Sequence, residues 1–179
     1  WPWVATSPNN QHALDTQREA IVASAVAKLN SYYLGEKSQV VINPFDKNEP
    51  HPSRKKTRPR IISASALDDQ LVTRVLFSPA CKMTRFVFPE SPSAVGISFA
   101  DTAVPPFIDA LKRHLVVRPG ETLFYTDISG WDRTITPQFL RAGVESMVQS
   151  ANSGGRDALR TMANAWVDSR IDAVYYWNG

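Results

Sequence analysis

Residues 123–136, LFYTDISGWDRTIT, force three backbone states into fourteen positions. An aromatic and branched run favours a strand ending at Asp127, Gly130 allows a turn, and Thr136 with Pro137 is the N-cap and first-turn signature of a helix. A chain that passes from strand to helix through so short a connection belongs to a mixed fold, and the class expected is α+β. The same stretch sets two carboxylates, Asp127 and Asp132, five positions apart across the turn, near one sheet edge. Acids also favour turns and helix starts for local reasons, so the pair acquires chemical meaning only beside a second feature.

That feature is a cationic strip. Lys47, Arg54, Lys55, Lys56, Arg58 and Arg60 face one acid, Glu49, so residues 47–60 carry +5 while the whole chain carries only +3. A mildly acidic body with one concentrated positive segment suggests a local anion site. Pro50, Pro52 and Pro59 favour an extended path, and in a strand Arg58 and Arg60 would share a face two residues apart. Arg grips phosphate oxygens bidentately and Lys acts as a point charge. Divalent magnesium takes hard oxygen ligands and is typically held by one or two carboxylates together with substrate phosphates. The plain alternative is a solvated basic loop.

Around these segments the hydrophobic spacing predicts the remaining elements. TQREAIVASAVAKLNSYYLG predicts a helix with a Thr16–Glu19 capping box, an apolar face of Ile21, Val22, Ala25, Val26 and Leu29, and a stop at Gly35. SQVVINPF predicts a strand ending at Pro44. Leu67, Leu71, Val72, Val75 and Leu76 mark a second helical face, and residues 78–100 are expected to be loop-like and short-stranded. Pro105 and Pro106 start a helix to about His114. Another carries Phe139, Leu140, Val144 and Met147, NSGG breaks it, and a further helix covers about 156–168. AVYYWNG then predicts a strand entering an Asn-Gly turn without its partner, so the chain is expected to be cut in mid-domain.

Several classes drop out. No apolar run approaches the roughly 20 residues of a membrane helix, and WPWVATSPNN lacks a basic cap with an apolar segment, which predicts a soluble, unexported chain. A single cysteine, Cys81, excludes an internal disulfide framework and is expected to be a small buried side chain. His12, His51 and His114 show no zinc-ligand spacing. Trp131 is expected to pack beneath its turn, and Trp1, Trp3, Trp166 and Trp177 to serve as core or interface aromatics.

The strip and the acid pair, in this order and about 70 residues apart, resemble the RNA-directed RNA polymerases of positive-strand RNA viruses, in particular the sobemovirus, polerovirus and barnavirus group. The likeness covers most of residues 43–136. Lys47, Glu49, Arg58 and Arg60 look like the family's fingers motif F, and Asp127 with Asp132 in DISGWD looks like palm motif A, Asp, four residues, Asp. SASALDDQLVTRVLF is similar to the fingers helix after motif F, and SPSAVGISF to the glycine-bearing segment before the palm. ATSP resembles motif G. The family continues with motif B, a Ser-Gly segment with a downstream Asn, and motif C, Gly-Asp-Asp; no Gly-Asp-Asp occurs here, and Ser129-Gly130 and Ser153-Gly154 are read as a turn and a helix break, not as motif B.

The resemblance implies fingers elements over 1–119 and, from 120 to 179, the start of a ferredoxin-like right-hand palm, incomplete. It implies template-directed nucleotidyl transfer from NTPs to an RNA 3'-hydroxyl, with Asp127 as a ligand of Mg2+ or Mn2+ and Asp132 recognising the ribose 2'-hydroxyl. Arg58 and Arg60 would meet the triphosphate, Lys47 and Lys56 would line the entry channel, and Glu49 would hold one of these cations in place. The implied partners are RNA template and primer, NTP, and the remaining palm and thumb, on the same polyprotein or a second chain. The implied location is the viral replication complex in the host cytoplasm, and the isolated segment is expected to be inactive. Two other readings are a non-catalytic RNA-binding α+β module and a phosphatase-like hydrolase with Asp127 as nucleophile. Haloacid-dehalogenase-like hydrolases place a second Asp two positions on, where this chain has Ser129, which counts against the last.

Overall fold

Asn9, not Thr16, starts the first helix. The computed structural model describes residues 9–46, 61–87, 104–114, 118–122, 124, 126–128, 131–151 and 153–176. In it the Asn9 side chain accepts a hydrogen bond from the His12 N–H at 2.8 Å and caps α1, Asn10–Tyr33. The Thr16 hydroxyl donates to the His12 carbonyl instead of capping, and the expected helix start coincides with a kink at Gln17 (φ −132°, ψ 22°). The predicted stop holds. Gly35 takes φ +76°, the Glu36 N–H reaches the Ser31 carbonyl at 2.8 Å, and the Gly35 N–H reaches that of Tyr32 at 3.0 Å. These two bonds form a Schellman cap, which needs a left-handed residue at this position.

The chain divides into two compact units, residues 1–76 with 137–179, and residues 77–136. In the first, β1 (Val41–Asp46) runs antiparallel to β2 (Ile61–Ser65) and parallel to β3 (Val174–Tyr175), giving the sheet order β2-β1-β3. The strand expected to lack a partner therefore has one. The Val174 N–H donates to Val40 and the Tyr176 N–H to Ile42, each at 2.9 Å. β1 also continues through Pro44, where the sequence predicts its end. Backbone groups alternate along a strand, so Val40, Ile42 and Pro44 point away from β2. β3 pairs only with Val41 and Ile42, so the N–H that Pro44 lacks falls where β3 makes no pair, and no ladder bond is lost.

Four helices complete this unit: α1, the first half of α2 (Leu67–Phe86), α5 (Pro137–Gln149) and α6 (Arg156–Ile171). Ala13, Ile21, Ala25 and Tyr32 are the buried residues of α1. Val22 and Val26, expected on the buried face, are nearly half exposed, so the apolar stripe is narrower than composition suggests. Leu67 and Leu71 pack against Ala13 and Ile21. On α5, Val144 and Val148 are buried while Phe139 and Met147 are exposed. α6 packs against both α1 and α5, and small residues, Ala163, Ala165 and Ser169, allow the close approach with Val167 fully buried among them. Arg160 to Glu145 and Arg141 to Asp168 cross the α5–α6 pair on its outside.

The second unit contains the end of α2, α3 (Val104–His114) with Ala110 buried, and the single-turn α4 (Trp131–Thr134). α2 runs on to Phe86, through residues 78–86 that the sequence assigns to a loop; residues 88–100 lie outside the described residues. Pro79 sits inside the helix without ending it. The carbonyl it strips of a partner belongs to Val75, four residues back, and both residues are on the exposed face where water can serve. Cys81 is exposed here and not buried. No described helix is long and apolar enough to cross a membrane.

The stripe geometry gives a direct comparison. Ile21→Ala should cost about 2–5 kcal/mol in urea unfolding, because its side chain is wholly enclosed. Val22→Ala, one position on, should cost less than about 0.5 kcal/mol.

Candidate functional site

Asp127 lies in a stretch where none of the described residues from 118 to 128 is in a strand. A strand exists only as a member of a ladder, and among the described residues nothing pairs with this segment, so the expected strand-end placement is not found. The carboxylate itself is exposed. Asp132 is the second residue of α4, following Trp131, whose ring is 52% exposed and so does not pack beneath the turn as expected. Lys47, Glu49, Lys56, Arg58 and Arg60 lie outside the described residues.

What the structure does show is how the ends of that strip are held. Asp46 and Ile61 are register partners across the β1–β2 pair, so residues 47–60 leave and re-enter the sheet at adjacent positions. On the β1 side, the Ser38 N–H donates to the Ser169 hydroxyl of α6 at 2.9 Å, and Val40 is 1% exposed. On the β2 side, the Gln70 amide donates to the Ser65 carbonyl at 2.9 Å as the chain turns into α2.

Immediately after that turn lies a buried cluster that sequence reasoning missed. Asp68 and Asp69, in the first turn of α2, are each 1% exposed. The Lys28 ammonium bridges them at 3.0 and 2.7 Å, and the Ser24 hydroxyl donates to Asp68 at 2.7 Å. From α6, the Arg170 guanidinium donates to the Thr73 hydroxyl at 3.2 Å and stacks 5.2 Å from the centre of Trp166. The indole N–H of Trp166 donates to the same Thr73 hydroxyl at 3.1 Å. Two anions and two cations thus meet where α1, α2 and α6 converge. Asp68 Oδ1 and Asp69 Oδ2 receive no hydrogen bond among the described residues, an exception to the rule that buried polar atoms are paired.

The sequence held a signal for this cluster. Lys28 sits on the stripe of Ile21, Ala25 and Tyr32, at helical spacing, and a lysine inside an apolar stripe needs a buried counter-charge. Burial holds the Asp69 carboxyl above the usual aspartate value, with Lys28 and Arg170 acting against it and Asp68 adding to it. Burial likewise raises the Tyr32 phenol, opposed by Ser169.

Among the described residues no three metal-ligating side chains come together. Asp127 fits as one exposed oxygen ligand of a hard divalent ion whose other ligands are waters, phosphates and further carboxylates. The lysine-neutralised Asp68 and Asp69 do not fit such an ion, because the ammonium occupies the space between them.

A family profile described as viral RNA-dependent RNA polymerase matches residues 2–174. The chain is similar to Replicase polyprotein P2AB of Southern cowpea mosaic virus, with 36% identity over 108 residues, covering 58% of this chain and 11% of that protein. It is similar to Protein P2-P3 of Poinsettia latent virus, with 31% identity over 133 residues, 69% of this chain and 12% of that protein. Replicase polyprotein P2AB of Southern bean mosaic virus gives 36% identity over 108 residues, covering 58% and 11%. The chain thus spans about a tenth of the length of these curated relatives.

The cluster makes stability depend on pH in an unusual direction. Folding raises the Asp69 pKa from the ordinary 3.8, so its contribution to stability is fully present below that value and is lost as pH rises through the folded value. In urea unfolding from pH 3.5 upward, wild type should therefore lose stability relative to Asp69→Asn. A difference that grows in favour of wild type as pH rises would contradict this.

Proposed function

Because this chain belongs to the viral RNA-dependent RNA polymerase family, we propose that it supplies the fingers and first palm segment of an enzyme that extends RNA on an RNA template. The observation that carries this reading is the family match across nearly the whole chain. The exposure of Asp127 supports it, since an acid sealed among hydrocarbon neighbours could not meet a metal ion.

In this reading residues 1–119 are fingers and the palm begins at 120. β3, beyond that boundary, pairs with β1 before it, so the two subdomains share a sheet. The primer 3'-oxygen attacks the α-phosphorus of a bound NTP, the bond to the bridging oxygen breaks, and pyrophosphate leaves. Arg58 and Arg60 hold the triphosphate and offset the charge that develops on it. Lys47 and Lys56 draw the nucleotide in, and Glu49 holds one of these cations by ion pairing. Asp132 accepts a hydrogen bond from the ribose 2'-hydroxyl and so selects ribonucleotides. Magnesium or manganese, held in part by Asp127, lowers the proton affinity of the attacking hydroxyl and balances charge on the leaving group when bound. One metal-binding acid is too few for turnover, so the segment alone is inactive and works with the rest of the palm and thumb. Its setting is the replication complex in the host cytoplasm.

In the complete polymerase, Asp127→Ala should lower magnesium-dependent primer extension on the order of 10³-fold, the loss of several kcal/mol of charge stabilisation. Asp132→Ala should narrow the preference for NTP over dNTP. Wild-type extension by the Asp127 variant, with RNA retention intact, would instead identify a non-catalytic RNA-binding module.

A further inference from the structure

We propose that one internal water molecule is bound where α1, α2 and α6 meet, donating hydrogen bonds to Asp68 Oδ1 and Asp69 Oδ2 and accepting them from the Tyr32 hydroxyl and the Arg170 Nε–H. The site lies within the first compact unit and is independent of the polymerase reading.

Among the described residues, the buried side-chain polar atoms without a hydrogen-bond partner are Tyr32 Oη, Asp68 Oδ1, Asp69 Oδ2 and Arg170 Nε. All four belong to one neighbourhood. The Lys28 ammonium takes the other oxygen of each aspartate, Asp68 Oδ2 at 3.0 Å and Asp69 Oδ1 at 2.7 Å, and the Ser24 hydroxyl takes Asp68 Oδ2 as well. Tyr32, fully enclosed, lies one helical turn beyond Lys28 on the same face of α1. The charges of Asp69, Lys28 and Arg170 all act on its phenol. Arg170 in turn reaches the Asp69 carbonyl at 3.4 Å with one terminal nitrogen, while Trp166 covers the guanidinium face, so its Nε–H edge is what remains to bond. Ser169 stands beside the phenol, but its hydroxyl is already engaged, donating to the Ala165 carbonyl and accepting the Ser38 N–H.

The chemistry of the four atoms selects the ligand. A carboxylate oxygen only accepts, a guanidinium N–H only donates, and a phenol donates through its O–H. Two acceptors therefore remain beside two donors, and a water molecule, with two protons and two lone pairs, is their complement. A cation there would be repelled by Lys28 and Arg170 and an anion by Asp68 and Asp69, so the balance of charge favours a small neutral molecule. Protein interiors rarely leave polar atoms unpaired, and internal water making about three hydrogen bonds is the usual way such groups are satisfied. The bound water also closes a triangle. Lys28 ties α1 to α2 and Arg170 ties α6 to α2; a water held by both Tyr32 and Arg170 ties α1 to α6.

A high-resolution crystal structure of the chain tests this directly. It should show an ordered water about 2.7–3.2 Å from at least three of the four atoms. A water on fewer than three of them, no ordered water, or direct hydrogen bonds among the four side chains overturns the proposal. In solution, rotating-frame NMR should give a dipolar cross-peak between water and the Arg170 Nε–H proton, with the sign of bound water and not of chemical exchange. Asp69→Leu, which removes one acceptor and fills the space with hydrocarbon while leaving Lys28 paired to Asp68, should abolish that cross-peak. Its persistence in the folded variant would place the water elsewhere and contradict the assignment. Should Asp69→Leu not fold, the wild-type chain decides: a dipolar cross-peak at Arg170 supports the site, and its absence refutes it.

Discussion

An ammonium enclosed between two carboxylates is the constraint from which the arrangement of the larger unit follows. Lys28 projects from α1 into the first turn of α2, and neither Asp68 nor Asp69 has an alternative in solvent. Such a pair is costly to bury and more costly to break: removing one partner strands a charge, at about 3–5 kcal/mol. The bridge ties α1 to α2, and Arg170 ties α6 to α2 beside it. Ile21, Val72 and Val167, all at most 1% exposed, supply the transfer free energy, but hydrocarbon surfaces alone accept several packings.

From that junction the geometry extends to the sheet. α6 leads through Asp172 and Ala173 into β3, and β3 pairs with β1 beside the Ser38–Ser169 bond. β2 feeds α2 directly. The sheet is small, three strands of which β3 has two residues, and such a sheet gains independent stability only when its ends are tied to something else. Here the ties are the Ser38 N–H to the Ser169 hydroxyl of α6 and the Gln70 amide of α2 to the Ser65 carbonyl. The segment 47–60 thus leaves and re-enters the sheet at register partners, Asp46 and Ile61, on strands tied to α6 and α2.

The sequence and the structure agree where local chemistry decides and part where tertiary context does. Gly35 was legible because a left-handed cap needs glycine, and the Thr136–Pro137 start because proline suits a first turn. α2 runs through Pro79 into residues with no helical signal of their own, since a proline inside a helix is tolerated when the orphaned carbonyl faces water, and exposure is not written in the local sequence. Residues 121–128 have strand propensity, yet the described ones among them, 121, 122, 124 and 126–128, are not in a strand, because propensity alone does not supply a ladder partner. Val22 and Val26 misled because periodicity gives the direction of a stripe better than its width. The strip and the acid pair carry the family resemblance in their order and spacing, which no single residue does. The Lys28 cluster went unread because two acids at a helix start have an ordinary explanation in the helix dipole, and only the fold brings a lysine 40 residues earlier against them.

The most direct measurement is a double-mutant cycle between Lys28 and Asp69, using Lys28→Met, Asp69→Asn and the pair, with unfolding free energies from urea titration at pH 7. If the enclosed charges hold the helices in register, the coupling is favourable by about 1.5–3 kcal/mol and the pair is less destabilised than the sum of the singles. Additive effects within about 0.3 kcal/mol would show that the two charges do not depend on each other, and the account of what holds these helices together would be wrong.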